Sequence, residues 1–373
     1  MRRPSGSRRS LPAIRRGPSN NNRSGRALIG LDIEPGQIVA AQVRVAGGLQ
    51  IERAAGMPLP PGVIRDGEVA DVETLSASLA QLFETSGLDN RVRIGIANQR
   101  IVVRMLELPP IPDPKELATA VRFQAQDEIP MPLDSVILDH HSLGVIETPN
   151  GPRQQVVLVA ARRDMVERVL AAARGAGLRP EAVDLSAFAM IRALAPSGVS
   201  SHERVLYLSI GGLTNLAIAE GRVCRFTRVI GGGLDEIVAD VAERCQVPLD
   251  RARALVGRSS PVKSTEGESG ERPASDHDAI AQSALVDGVN RIAAEVRNSL
   301  DFHSSQGART DVVRAVLCGP AVDIPGFSEA LSEAVRLPVT VGAVAQINPD
   351  AAGGVPPSRL IVAAGLAIEE ATS

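Results

Sequence analysis

Apolar positions along the 373 residues fall into short blocks whose period changes several times. Blocks at 27–33, 38–46 and 49–54, separated by Glu34-Pro35-Gly36 and Gly47-Gly48, predict a three-stranded meander, since short apolar runs bounded by turn residues read as strands. From Asp71 the spacing turns helical: Leu75, Leu79 and Leu82 share a face and Gly87 ends the run. A buried strand at 92–97 follows. The hairpin recurs at 205, where Leu206-Tyr207-Leu208-Ser209-Ile210 leads to Gly211-Gly212 and a return strand at 216–219 that is expected to continue through 222–230. Gly231-Gly232-Gly233 then precedes a helix at 234–245, and Pro248-Leu249-Asp250 is expected to cap another reaching 256. A long amphipathic helix is predicted at 279–303, a strand at 312–317 ending in Cys318-Gly319-Pro320, a helix at 327–335, a strand at 339–341 and a closing helix at 360–369. A chain that builds one hairpin twice predicts two related α/β half-domains facing each other across a cleft.

Between the halves lies a stretch that does not fit this unit. A strand at 102–108, a helix at 115–128 carrying Leu117, Val121 and Ala125 on one face, and strands at 136–143 and 155–161 make a small strand-helix-strand-strand subdomain. Prolines 109, 110, 112 and 114 break the chain before that helix, and Ile129-Pro130-Met131-Pro132 stops it. A helix at 163–175 and a strand at 180–185 return to the main unit. The expected organisation is a first lobe at 27–204 with an insertion at about 99–162, and a second lobe at 205–373.

Composition narrows the picture. Apolar residues make up 44% and aromatic residues 2%, so Ala, Val, Leu and Ile supply the core of a chain long enough for two domains. A formal charge of −3 gives no general attraction to nucleic acid. The first 26 residues hold eight Arg and no acid among Ser, Asn, Gly and Pro, a composition that cannot build a core and predicts a disordered basic tail. It reads either as a solvated cationic segment or as one drawn peripherally to an anionic membrane surface. No apolar run of about eighteen residues is long enough to span a membrane. Residues 258–277, rich in Ser, Pro, Gly and Glu, predict a second disordered loop. Cys224, Cys245 and Cys318 are isolated in apolar stretches and predict buried thiols in a reducing, cytoplasmic compartment.

The candidate chemistry is sparse. Asp32, ending a buried strand before a turn, can reach a Mg²⁺ ion through water or cap local backbone donors. Gly-rich turns that face each other can hold a phosphate chain, because backbone N–H groups come close where no Cβ intrudes. Gly231-Gly232-Gly233 serves ligand approach or close packing equally well. His140 and His141 alternate across a strand, and no histidine has metal-ligand neighbours at suitable spacing. No hydrolase triad, phosphate-loop Lys or dinucleotide fingerprint is present, so no catalytic residue and no metal site is assigned.

Three stretches carry a family resemblance: Gly30-Leu31-Asp32-Ile33, the block from Val121-Arg122-Phe123 through Ile129-Pro130-Met131-Pro132-Leu133 with Leu138-Asp139 after it, and Val296-Arg297-Asn298-Ser299-Leu300-Asp301-Phe302. From Gly30 onward the chain resembles the PilM family, cytoplasmic actin-like proteins of type IV pilus assembly. The resemblance implies an actin-like fold of duplicated ribonuclease H-like lobes with the inserted subdomain. It implies a scaffold at the cytoplasmic face of the inner membrane, binding the N-terminal cytoplasmic peptide of a PilN-like bitopic membrane protein and, indirectly, motor ATPases. That peptide would lie between the inserted subdomain and the first lobe, with Val103, Met105, Leu106, Ala118, Val121, Arg122 and Ala125 as candidate walls. ATP with Mg²⁺ is the implied cofactor, on Asp32, Gly36, Gly211, Gly212, Thr214, Gly232, Gly233, Gly319 and Pro320.

The chain departs from the family at that site. Glu34-Pro35-Gly36 places an acid near the phosphate position and removes a backbone donor at Pro35. Ser209 stands for a second Asp, and where the family's Ala-Glu-x-x-Lys would hold the nucleoside through its Glu and Lys this chain reads Ala252-Arg253-Ala254-Leu255-Val256, so both polar contacts are missing. These losses predict weak or absent ATP binding and no hydrolysis. The alternatives are a working ATPase or sugar-kinase relative, and a filament former like FtsA; the acidic Glu369-Glu370 ending disfavours the last.

Overall fold

The computed structural model describes residues 27–45, 48–195, 203–262, 275–305, 311–344, 346–347 and 349–369. The expected basic tail at 1–26 lies outside them. In chain order the first part contains β1 (Ile29–Glu34), β2 (Gln37–Val45), β3 (Leu49–Pro58), a small hairpin of β4 (Ile64–Arg65) and β5 (Glu68–Val69), α1 (Val72–Ser86) and β6 (Arg91–Ile96). Then come β7 (Val102–Leu108), α2 (Pro114–Glu128), β8 (Val136–Thr148), β9 (Gly151–Arg162), α3 (Arg163–Gly175), β10 (Arg179–Leu185) and α4 (Ser186–Leu194). The second part holds β11 (Arg204–Ile210), β12 (Thr214–Glu220), β13 (Val223–Ile230), α5 (Leu234–Cys245), α6 (Leu249–Arg258), α7 (Asp276–Ser305) and β14 (Val312–Cys318). It closes with α8 (Phe327–Val335), β15 (Val339–Val341), β16 (Gln346–Ile347) and α9 (Ile361–Ala367).

Two sheets share one plan. The first runs β10-β6-β1-β2-β3-β16 and the second β13-β12-β11-β14-β15. In each, an antiparallel meander adds parallel strands beyond its first strand: β6 beside β1, and β14 beside β11. Helices α1 and α3 cover one face of the first sheet, where Leu75, Leu79, Val169 and Ala172 meet Ile29, Leu31 and Ile94. Helices α5 to α8 cover the second sheet around Leu206, Leu208, Val241, Ile292 and Phe327. Between the sheets lie α4 and α9, whose Met190, Ile191, Ile361 and Leu366 pack with Val39, Tyr207 and Cys318. This is the layered arrangement of duplicated actin-like lobes.

Local chemistry explains the boundaries. Asp71 caps α1 by accepting the Thr74 N–H at 3.0 Å, and Gly87 ends it in the left-handed region at φ 61°. Asp113 caps α2, accepting from Lys115 and Glu116, with Pro114 in the first turn, where its missing N–H does no harm. The third sheet, β7-β9-β8, packs one face on α2. Its long hairpin exceeds the expected strands at 136–143 and 155–161, because β8 continues past a bulge at Ser142/Gly144 to Thr148.

Other expectations need correction. Helix α4 was not anticipated, nor were β4, β5 and β16, and the expected return strand through 222–230 is two antiparallel strands, β12 and β13, parted by a turn where Gly221 has φ 58°. Pro248 provides no side-chain cap to α6. The helices reach into the expected loop at 258–277: α6 ends at Arg258, α7 starts at Asp276, and Arg258 Nη2 bonds Asp278 Oδ1 at 2.6 Å. Residues 263–274 lie outside the described ones. The expected closing helix at 360–369 is shorter, Ile361–Ala367.

Candidate functional site

The cleft between the sheets is built by the turns β1–β2 and β11–β12. Residues around Pro35, Gly36, Gly211, Gly212, Asp250, Arg253, Pro320, Asp323 and Arg359 line a space of about 570 Å³. Of the anticipated nucleotide residues, Gly36, Gly211, Gly212 and Pro320 border it; Asp32 lies behind, 5% exposed.

The turns touch. A Cβ built on Gly211 would collide with Glu34 Oε2, and one on Gly212 would lie 2.6 Å from Pro35 Cβ and 2.8 Å from Asp235 Oδ2. The side chains of the first turn therefore rest on the backbone of the second. Two glycine N–H groups are also committed: Gly211 N donates to Leu213 O at 2.9 Å and Gly319 N to Ser358 O at 2.9 Å. Arg253, at the mouth, pairs with Asp235 at 3.1 Å and lies over Gly36, while Ala252 is buried.

The interior is acidic and poorly solvated. Burial raises the Asp32 carboxyl well above the usual range, and Glu34 adds to this. Glu34 itself rises to about 7, chiefly through burial and further through Asp235, against the lowering influence of Gln37 and Arg359. Burial pushes the Cys318 thiol up to about 12, with the Ser209 hydroxyl beside it acting the other way. A phosphate would compete with the Glu34 carboxyl group for the same volume and be repelled by it once it is ionised.

Thr214, Gly232 and Gly233 separate from this set. Thr214 is fully buried and donates through Oγ1 to Gly232 O at 2.8 Å. The place of a Gly233 Cβ is 2.6 Å from both Gly211 O and Gly212 O, so its glycine character serves close packing of the second turn. Gly232 borders another space of about 580 Å³, where Arg228 and Arg291 are paired with Glu295 and Glu236.

A second groove, about 580 Å³, runs between the inserted sheet and the first sheet. One wall is the sheet face opposite α2, where Ile137 pairs with Ala161, Asp139 with Val159 and His141 with Val157. The other is Val183 and Leu185 of β10 with Phe188, Ile191 and Arg192 of α4; Val223 and Cys224 of β13 contribute as well. β8 ends one sheet and β10 ends the other, so two strand edges border the groove. Arg192 pairs with Asp184, and burial pushes the Cys224 thiol up to about 12.

This geometry changes the anticipated walls in part. Leu106, Val121 and Ala125 are buried in the inserted unit's own core with Leu117, Val156 and Leu158, where an added peptide cannot reach them. Ala118 and Arg122 are exposed on the far side of α2. Val103 and Met105 stand on the groove-side face of the inserted sheet, paired with Val159 and Val157 of the wall. The groove residues of β10, α4 and β13 were missed because they come from separated segments without a shared motif.

Comparison with known proteins agrees with the architecture. A structure of a PilM–PilN type IV pilus biogenesis complex superimposes with a TM-score of 0.73 at 23% identity, covering 91% of this chain and 97% of that one. MreB5 of Spiroplasma citri bound to ADP gives 0.53 at 13% identity, covering 91% and 94%, and the ethanolamine utilization protein EutJ from Carboxydothermus hydrogenoformans gives 0.51 at 14%, covering 91% and 88%. At these identities the likeness establishes the actin-like fold. The family model of the type IV pilus assembly protein PilM matches residues 30–252, more than half of the chain, and the protein belongs to that family.

Proposed function

We propose that this chain is a docking scaffold of a type IV pilus or related assembly platform, holding the N-terminal cytoplasmic peptide of a PilN-like inner-membrane protein in the groove beside the inserted sheet. The observation that carries this reading is the groove itself: apolar side chains on its floor, and the free edges of β8 and β10 at its borders. An extended peptide suits such a place, because strand edges offer backbone partners and Val157, Val159, Val183 and Phe188 offer apolar seats for alternate side chains. Among the described residues no helix is long and apolar enough to cross a membrane, so contact with the inner membrane would come through the partner. Fluorescence anisotropy with the labelled peptide tests this. Saturable binding supports the reading, and no binding at 100 µM, about 5.5 kcal/mol, rejects it.

The cleft, in the same reading, no longer works as an ATP site. Glu34 against Gly211, the committed N–H groups of Gly211 and Gly319, and Arg253 over Gly36 all disfavour a Mg²⁺-nucleotide. Titration calorimetry with ATP and Mg²⁺ decides: micromolar or tighter binding would overturn it.

A further inference from the structure

We infer that α9 couples the groove to the cleft, so that a peptide seated in the groove holds the cleft turns together. This rests on the docking reading above and names its regulation.

All seven residues of α9 are buried, and its backbone touches both sides without intervening side chains. At Gly30 of β1 a Cβ would meet Ala363 O and lie 2.6 Å from Ala367 N; at Gly365 it would meet Ala189 O of α4. The helix therefore cannot shift without moving β1, which ends at the cleft, or α4, which walls the groove.

Both ends are tied by arginines. At the C-terminal end Arg93 donates to Ile368 O at 2.7 Å and Leu366 O at 3.3 Å, and Arg192 donates to Gly365 O at 3.2 Å. Arg93 and Arg192 both line the groove. At the other end Arg359 donates to Asp323 Oδ2 at 2.8 Å and to Gln37 Oε1 at 3.4 Å, while Ser358 Oγ donates to Asp323 Oδ1 at 3.0 Å. Gln37, Asp323 and Arg359 line the cleft, and Gln37 Nε2 reaches Glu34 Oε2 at 3.5 Å.

A peptide packed on the Arg93 and Arg192 stems removes their freedom to leave the α9 carbonyls. Fixing α9 fixes Arg359, and with it the turn that carries Glu34. Coupling of this kind is reciprocal in binding free energy: whatever loosens the cleft end must weaken peptide binding by the same factor.

The test uses the full chain and the synthetic N-terminal cytoplasmic peptide of the PilN-like protein from the same organism. Hydrogen exchange with saturating peptide is expected to slow by at least about fivefold at the amides of Glu34, Gly36, Gln37 and Gly211 to Leu213. Arg359→Gln, outside the groove, is expected to abolish that protection and weaken the peptide by about the same factor, with folding checked by circular dichroism. If that variant does not fold, exchange in the wild-type chain decides alone. A peptide that binds while cleft amides exchange at unchanged rates overturns the coupling and leaves docking intact. Equal affinity of wild type and Arg359→Gln also overturns it. A peptide that does not bind removes the docking reading and the coupling together.

Discussion

Glu34 lies with its carboxyl group against the backbone of Gly211, joining the two meander turns across the cleft. Beside this contact Pro35 sits on Gly212 in the same way. In an actin-like fold these turns face each other, and here they are in van der Waals contact through side chains of one and glycines of the other.

Gly212→Ala is expected to destabilise the protein by roughly 1–3 kcal/mol, because a proline ring cannot swing away from the new methyl group. Replacing Pro35 by Gly as well should recover at least half of that loss. The coupling in a double-mutant cycle of urea midpoints measures the contact; simple additivity of the two changes would show that Pro35 and Gly212 do not bear on each other.

The raised Glu34 carboxyl makes stability depend on pH. In the unfolded chain it titrates near 4.5, and in the folded protein near 7, so the folded state binds the proton more tightly. Its favourable contribution is complete below 4.5 and is lost as pH rises through 7. Glu34→Gln, which keeps a neutral side chain at all pH values, should raise the melting temperature at pH 8 by a few degrees and leave it nearly unchanged at pH 4. For a partly exposed side chain the stabilisation at pH 8 is roughly 1–2 kcal/mol. An equal shift at both pH values would locate the effect elsewhere.

In the groove, Val159→Lys places an ammonium group on the floor next to Asp139, which can accept it, so the fold should survive. Peptide affinity is expected to fall at least tenfold, about 1.4 kcal/mol. Ala118→Lys, on the outer side of α2, should leave it within about twofold, since that face is remote from the groove. The reverse pattern would restore the outer face of α2 as the docking surface.

The strands and helices that alternate between a buried and a solvated face were legible in the chain, because period and caps agree: Asp71 with Gly87 around α1, and Asp113 with Pro114 at α2. Helix α4, with Arg192 as its one charged residue, carries no such polar face. Ser186–Leu194 is apolar almost throughout, and nothing in its spacing separates it from a buried strand. The apolar face of α2 was visible, but a stripe reads the same whether it covers its own sheet or a partner; only the burial of Leu106, Val121 and Ala125 distinguishes the two. The actin-like cleft was legible through its paired turns, and the groove was not, because β9, β10, α4 and β13 meet only in the fold.

Cys224, Cys245 and Cys318 are all buried, and the thiols of Cys224 and Cys318 are pushed up to about 12. Since the thiolate is the reactive form, both should resist a disulfide reagent at pH 8 in the native protein and react once it is unfolded. Mass spectrometry after brief labelling gives the answer. Rapid native labelling of Cys318 would mean that the cleft opens often, whereas labelling of Cys224 alone would report on the groove.

Gly30 tests the placement of α9. In the Gly30-Leu31-Asp32-Ile33 segment it lies within β1, as the apolar block at 27–33 predicts, paired with Ala41 and Arg93. Its lack of a side chain admits the α9 backbone: an added methyl would meet Ala363 O, with Ala367 N at 2.6 Å and Leu366 Cβ at 2.8 Å. These atoms are backbone or anchored on it, so neither side can yield by rotating a side chain. Gly30→Ala should therefore cost roughly 3 kcal/mol, at the upper end for overpacking, and should weaken peptide binding along with stability because α9 and α4 move together. Urea unfolding of the variant measures the first and anisotropy the second. A loss below about 1 kcal/mol would mean that α9 stands further from β1 than described.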